Sequence, residues 1–220
     1  MKKIFFFFFS FFIISSFGER IYLRSGKIIE GKIFEKTDKY IKVMFEGVPL
    51  TFWKDEIEKI ESTQPCVGEL IEKGLKALKD KRFKEAIKIF QKVIESMPYK
   101  IEAYLALGRA YVGLGEYDKG IEYFNRAISI DANCKSAYIS LGMVYFKYKK
   151  NYKLSIYYFK KALQIDPFDA FVHFSLGVVY SLNKEKKLAL KEIEILKKLN
   201  KELAEILALY LAQLEKKNGK

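Results

Sequence analysis

The chain has 220 residues and carries 40 Lys and Arg against 27 Asp and Glu, a formal charge of +13. It holds one histidine and two cysteines. No His/Cys/Asp cluster stands at metal-ligand spacing, and no glycine-rich phosphate loop precedes a helix, so neither an enzyme nor a bound cofactor or metal is expected. The chain begins Met1-Lys2-Lys3, and residues 4–17 are almost wholly apolar. Small residues Ser16 and Gly18 then bracket Phe17. A charged start, an apolar run and a small-residue end make a secretory signal peptide, over residues 1–18 with cleavage after Gly18. A spanning helix needs about 20 apolar residues, so spanning is disfavoured; a tether through the uncleaved signal is the alternative. No cysteine lies near the cleavage point. The expected place is outside the cytoplasm, periplasmic or extracellular.

Residues 19–63 read as a small all-β domain. Ile21 to Leu23 alternate into a turn at Ser25-Gly26-Lys27, Ile28 to Lys36 follow, and Thr37-Asp38-Lys39 make the next turn. Tyr40 to Phe45, a turn at Glu46-Gly47, and Val48 to Trp53 continue the pattern, which Ile57 and Ile60 close. Short alternating runs between Gly and Asp turns are strands and hairpins. Five short strands closed into a barrel would remove exposed edges. The order Leu23, Gly26, Gly31, Ile33, Asp38 resembles an Sm-like small barrel. The Asn that follows the Asp in the RNA-binding version is absent, with Tyr40, Ile41 and Lys42 there instead, and no nucleic-acid partner is expected. Residues 64–66 form a short link.

Beyond the link, Gly74, Gly108, Gly142 and Gly177 stand 34, 34 and 35 residues apart. Around them the same order returns: Tyr104, Leu107, Gly108, Tyr111, Phe124, Ala127; then Tyr138, Leu141, Gly142, Tyr145, Phe159, Ala162; then His173, Leu176, Gly177, Tyr180, Ile193, Leu196. A first copy runs Leu70, Gly74, Ala77, then Phe83, Ala86, Phe90 and Val93. Spacings of three and four are helical, and a fixed period of this size means stacked repeats. Each copy is two amphipathic helices. The mid-helix glycine costs roughly 1 kcal/mol against Ala, so it has a packing reason: the second helix can approach. Ala86, Ala127, Ala162 and Ala189 are expected to serve the same approach from the other side. Pro98 and Pro167 end helices. The third copy carries one extra residue in its turn, around Lys149 to Asn151.

This pattern resembles the tetratricopeptide repeat family. The resemblance implies a mainly α fold, a right-handed α-solenoid of about four helical hairpins (67–100, 101–134, 135–169 and 170–203), with a capping helix and tail over 204–220. Leu203, Leu207, Tyr210 and Leu214 form the cap's apolar stripe, widened by Leu209 and Leu211; it buries the open end of the stack or serves self-association. His173 stands where other copies have Tyr104 and Tyr138, and is expected to be a packing residue. Cys66 and Cys134 lie 68 residues apart, two full repeats. At roughly 8–10 Å per helix contact that separates them by well over 20 Å, against about 7 Å for a disulfide, so no internal bridge is expected.

The 19–63 region holds equal numbers of basic and acidic residues, so the excess positive charge lies in the repeats. Lys79, Lys81, Arg82 and Lys84; Lys147, Lys149, Lys150 and Lys153; and Lys184, Lys186 and Lys187 gather at the hairpin turns, which line one edge. Such an edge favours anionic lipid, wall polymer or acidic protein. The family resemblance further implies that the first helix of each hairpin lines a concave groove, here Ile71, Leu75, Leu105, Arg109, Val112, Ile139, Met143, Phe146, Phe171, Phe174 and Val178. The family's carboxylate clamp is absent, since Ile71, Leu75, Ile139 and Met143 occupy comparable places. An apolar groove suits an amphipathic helix or extended peptide. The expected function is an exported, non-enzymatic scaffold that binds an apolar segment of a cell-envelope protein. The alternative is an envelope-surface binder acting through the basic edge.

Overall fold

A computed structural model describes residues 19–45, 47–62 and 67–218. The signal segment, the link and Cys66 lie outside the described residues. The chain divides between Gly68 and Glu69 into two compact units.

The first unit is an antiparallel five-stranded sheet: β1 (Glu19–Leu23), β2 (Ile28–Lys36), β3 (Tyr40–Phe45), β4 (Val48–Trp53) and β5 (Ile57–Ser62), in the order β4-β3-β2-β1-β5. Ile21, Ile29, Ile41 and Val43 are buried, with Leu23, Ile33, Phe45, Phe52, Ile57 and Ile60 packed around them. Alternation, reset in β5 by the register shift between Ile57 and Lys59, puts these residues on one face. At Gly31 a Cβ would come 2.5 Å from Val43 Cγ1 and 2.6 Å from the Met44 carbonyl oxygen, so only glycine fits where β2 passes over β3. Pairing then slips between Ile33 and Glu35, leaving Phe34 as a bulge. The barrel expected from the alternation is not closed. No pairing joins β4 to β5 among the described residues. The edges are instead protected by Pro49, which has no N–H to offer, and by Glu58, Lys59 and Glu61 along β5.

The second unit is a run of helical hairpins: α1 (Val67–Lys79) with α2 (Phe83–Ser96), α3 (Ile101–Gly113) with α4 (Tyr117–Ile130), α5 (Lys135–Lys147) with α6 (Tyr152–Ile165), and α7 (Ala170–Leu182) with α8 (Lys186–Leu199). α9 (Lys201–Asn218) follows and packs on α7 and α8. The turn inside the third hairpin, residues 148–151, is one residue longer than the others, as the spacing predicts. Asn151 caps α6 there by accepting from the Leu154 N–H. Lys81, Lys150 and Lys184 adopt left-handed backbone at the turn position that Gly115 fills in the second hairpin.

The periodic glycines make room for an aromatic ring. A Cβ at Gly74 or Gly142 would lie 2.7 Å from the ring of Phe90 or Phe159, and Gly108 has the same relation to Phe124. These three phenylalanines are fully buried. Each such burial contributes about 1.5–3 kcal/mol, more than the roughly 1 kcal/mol that glycine costs the helix. In the fourth hairpin the smaller Ile193 stands at the phenylalanine position, and Leu207 of α9 reaches over Gly177.

The four alanines expected to serve this approach do not occupy one position. Ala86, Gly120, Ser155 and Ala189 share one place at the start of the second helix; Val93, Ala127, Ala162 and Leu196 share another, about two turns further on. The first place is the close one. A Cβ at Gly120 would stand 3.0 Å from the Gly108 carbonyl oxygen, and the Ser155 hydroxyl donates to the Gly142 carbonyl at 2.9 Å.

Tyrosines flank the second and third hairpins in the same way. Tyr123 stacks on Tyr111 with centroids 5.3 Å apart and Tyr158 on Tyr145 at 5.4 Å, and each also meets Tyr104 or Tyr138. In the fourth hairpin, His173 and Glu192 take the places of Tyr138 and Tyr158. His173 Nδ1 lies 2.7 Å from Glu192 Oε2, and its Nε2 donates to the Pro167 carbonyl at 2.9 Å. Tyr104 makes the matching bond, its hydroxyl donating to the Pro98 carbonyl. The histidine therefore keeps the tyrosine's bond to the preceding loop and replaces a ring contact with a polar one.

α9 buries Ala204, Leu207 and Leu211 against α7 and α8, with Leu203 and Tyr210 beside them. Leu211 thus faces the core rather than widening an outer stripe. Ile206 and Leu209 are the large apolar residues this helix leaves exposed. Cys134 is a buried free thiol, and burial raises its pKa above the ordinary cysteine range.

Two stability outcomes follow from this packing. Gly108→Ala is expected to destabilise the repeat unit by about 1–3 kcal/mol in urea unfolding, because the buried Phe124 ring cannot yield; an unchanged or raised midpoint would show that the ring moves freely. Glu192→Ala leaves a buried ring nitrogen without its partner and is expected to cost about 1–3 kcal/mol, with most of it regained by combining His173→Tyr and Glu192→Tyr.

Candidate protein-binding groove

The first helices of neighbouring hairpins stand side by side, with α3 in contact with α5. Their outward faces carry residues one position or one turn after the core glycines, such as Arg109, Met143 and Val112, while Leu107, Leu141 and Leu176, one position before, are buried. Between α3, α5 and α7 lies a cavity of about 290 Å³. It is lined by Arg109 and Val112 from α3, by Ile139, Ser140, Met143, Val144 and Lys147 from α5, by Tyr148 just beyond it, and by Phe171 from α7, with Phe124 of α4 beneath. The size is at the low end of small-molecule pockets, about 300–1,000 Å³, and fits one or two side chains of a docked segment.

Five of the eleven residues expected in the groove, Arg109, Val112, Ile139, Met143 and Phe171, meet in this one cavity. The other six do not line it. Leu105 packs against the buried cluster around Phe124, Ala137 and Leu141. Phe146, Phe174 and Val178 lean on the cluster that continues into the last hairpin and α9, and Phe146 also meets Tyr152. Ile71 and Leu75 lie on α1; Ile71 is half-buried and Leu75 is 49% exposed. Phe171, half exposed at the cavity mouth, presents its ring far more openly than Phe174. Helical spacing places both on the same broad face; Phe174 packs against the buried cluster of the last hairpins, and Phe171 stands at the start of α7.

Lining residues missing from the expected set are Phe124, Ser140, Val144, Lys147 and Tyr148. Phe124 and Val144 are core residues that also reach the cavity floor. Lys147 follows Met143 by four residues, one helical turn on the same face, so register places it here although its charge groups it with the turn cations. Tyr148 stacks on Tyr117 at 4.4 Å, which fixes that wall.

The cavity's charges are of one sign. Neither α5 nor α7 contains an Asp or Glu, and none lines the cavity. Arg109 is exposed and has no ion pair or hydrogen bond from its side chain among the described residues. The Lys147 ammonium lies 5.5 Å from the centroid of the Tyr148 ring. Lys135, at the start of α5, is engaged elsewhere, held by Asp166 at 2.7 Å and Asp169 at 2.8 Å; those bonds raise its pKa and lower that of Asp166.

The basic turns are partly neutralised by neighbours. Arg82 pairs with Asp80 and Glu85, Lys149 with Asp118, and Lys186 with Glu215. Lys79, Lys150, Lys153 and Lys187 carry no ion pair among the described residues and are all exposed. Among the described residues no three His, Cys, Asp or Glu side chains could together hold a metal ion, and no helix is long and apolar enough to cross a membrane.

Known proteins share this architecture. Residues 77–141 and 136–169 each match a family model described as tetratricopeptide repeat. Among curated proteins, the chain is 35% identical over 69 residues to the Protein CTR9 homolog of Arabidopsis thaliana, a match covering 31% of this chain and 6% of that protein. It is 28% identical over 98 residues to Hsp70-Hsp90 organizing protein 3 of the same plant, covering 44% of this chain and 18% of that one. The chain thus spans only a small part of either relative. Among solved structures, MamA aligns with a TM-score of 0.53 at 21% identity, over 66% of this chain and 96% of its own. YrrB, described as a TPR protein with an unusual peptide-binding site, aligns with a TM-score of 0.55 at 20% identity, over 67% of this chain and 75% of its own. The matched repeats, the glycine–phenylalanine hairpins and the shared fold lead to one assignment: residues 77–169 are tetratricopeptide repeats.

Proposed function

We propose that the chain is a protein-binding scaffold and that the cavity between α3, α5 and α7 receives an apolar segment of its partner. The observation that carries this reading is the convergence of Val112, Ile139, Met143 and the half-exposed Phe171 from three separate helices on one concave surface. Concave apolar surfaces with a few polar groups at the rim are where proteins take ligands, and a segment with side chains at helical spacing fits a row of parallel helices. The peptide-binding site named for YrrB supports a peptide as the occupant. The turn edge is the weaker surface for anionic lipid or polymer, because three of its seven named cations are already paired.

The proposal includes where the scaffold works. Residues 1–18 act as an export signal, and the partner belongs to the cell envelope, either beyond the cytoplasmic membrane or at its surface through an uncleaved signal.

Two measurements test these points. Crosslinking in intact cells, followed by purification of the chain, is expected to capture an envelope protein that is lost with Phe171→Gln combined with Met143→Gln while the helical circular dichroism stays unchanged; capture that survives the pair removes the cavity as the site. Fractionation with mass measurement is expected to find the chain outside the cytoplasm and beginning at Glu19, or intact in the membrane fraction if the signal is retained. A full-length chain in the cytoplasm would end the export reading.

A further inference from the structure

We infer that the cavity selects an acidic–apolar segment: a partner helix or strand that inserts an apolar side chain between Val112, Met143 and Phe171 and sets a carboxylate against Arg109, with Lys147 as a second cation on the same rim. The inference rests on the docking reading above and adds the chemistry of the occupant.

Three observations carry it. The first is the free guanidinium. The other two arginines of the helical unit have an acid at hand: Arg82 pairs with Asp80 and Glu85, and Arg126 with Glu122. Arg109, at the cavity, has none among the described residues. The second is the lack of competing acid: α5 and α7 have none, and the one acidic residue of α3, Glu102, sits in its first turn and pairs with Lys100. The third is the setting. An arginine beside apolar walls presents a planar fork that matches a carboxylate with two parallel bonds, and displacing water from Val112, Ile139 and Phe171 strengthens that bond relative to one in open solvent. A basic partner segment would meet two cations with no acid to offset them, so the same groups reject as well as select.

Fluorescence anisotropy with three labelled helical peptides tests this on the full chain without residues 1–18. The peptides share leucines at i, i+3 and i+4 and differ only in flanking Glu, Gln or Lys. The Glu peptide is expected to bind about tenfold more tightly than the Gln peptide, the range of one charge-assisted bond, and the Lys peptide more weakly than either. The gap shrinks as salt is raised. Arg109→Gln is expected to remove the preference for the Glu peptide over the Gln peptide. Lys79→Gln with Lys187→Gln, which removes two units of charge from the turns, is expected to leave it intact. Equal binding of the Glu and Gln peptides overturns the inference, as does a preference that survives Arg109→Gln with Lys147→Gln or falls equally with the turn pair. If the Gln peptide binds and is lost with Phe171→Gln, the docking reading stands whatever the charge result; if no peptide binds, both readings fall.

Discussion

The first three hairpins of the helical unit depend on a ring laid over a glycine. Phe90, Phe124 and Phe159 each cross the face of Gly74, Gly108 or Gly142, and a single methyl at any of those places would meet the ring. The contact brings the two helices of a hairpin close enough for a serine hydroxyl to bond the backbone of the facing helix, as Ser155 does with Gly142. Once the hairpins have a fixed thickness, the first helices stand in a regular row. Residues one position or one turn after the glycine, such as Arg109, Met143 and Val112, then face the groove, and a surface such as the α3–α5–α7 cavity is a by-product of the same contact that holds the core.

The fourth hairpin shows how far the pattern can change without losing its frame. Its glycine receives Leu207 of the last helix instead of a phenylalanine ring, so closing the stack and filling the hairpin are one act. Its tyrosine pair becomes His173 and Glu192. A buried polar pair with every group bonded fixes geometry more narrowly than ring stacking, because each atom has one acceptable partner position.

The repeat positions are legible because one period repeats a whole set of spacings, and the extra residue at the third turn shows in the glycine interval itself. What does not show are features set by partners distant in sequence. Ala127 and Ala162 look like Ala86 and Ala189 in composition, yet the helical angle places them elsewhere. Closure of the sheet depends on whether β4 and β5 meet, which no local alternation encodes. Phe171 and Phe174 share a face by periodicity, and only packing against the buried cluster, which Phe174 has, separates the closed ring from the open one. The basic turns read as a single field until Asp80, Glu85, Asp118 and Glu215 are placed beside them. Arg109 and Met143 are found by their distance from the glycine, whereas the charge of Lys147 near a turn masks its register with Met143.

The left-handed lysines bear on how such an array changes over time. Lys81, Lys150 and Lys184 hold a backbone shape that costs an L-residue about 1–2 kcal/mol and costs glycine far less, and Gly115 shows that the same turn accepts glycine. Backbone preference alone therefore does not account for a lysine at three of the four turns. Each is a place where a single substitution could add stability without touching the core or the cavity. The scaffold thus holds a reserve at its surface against which less favourable residues on the binding face can be offset.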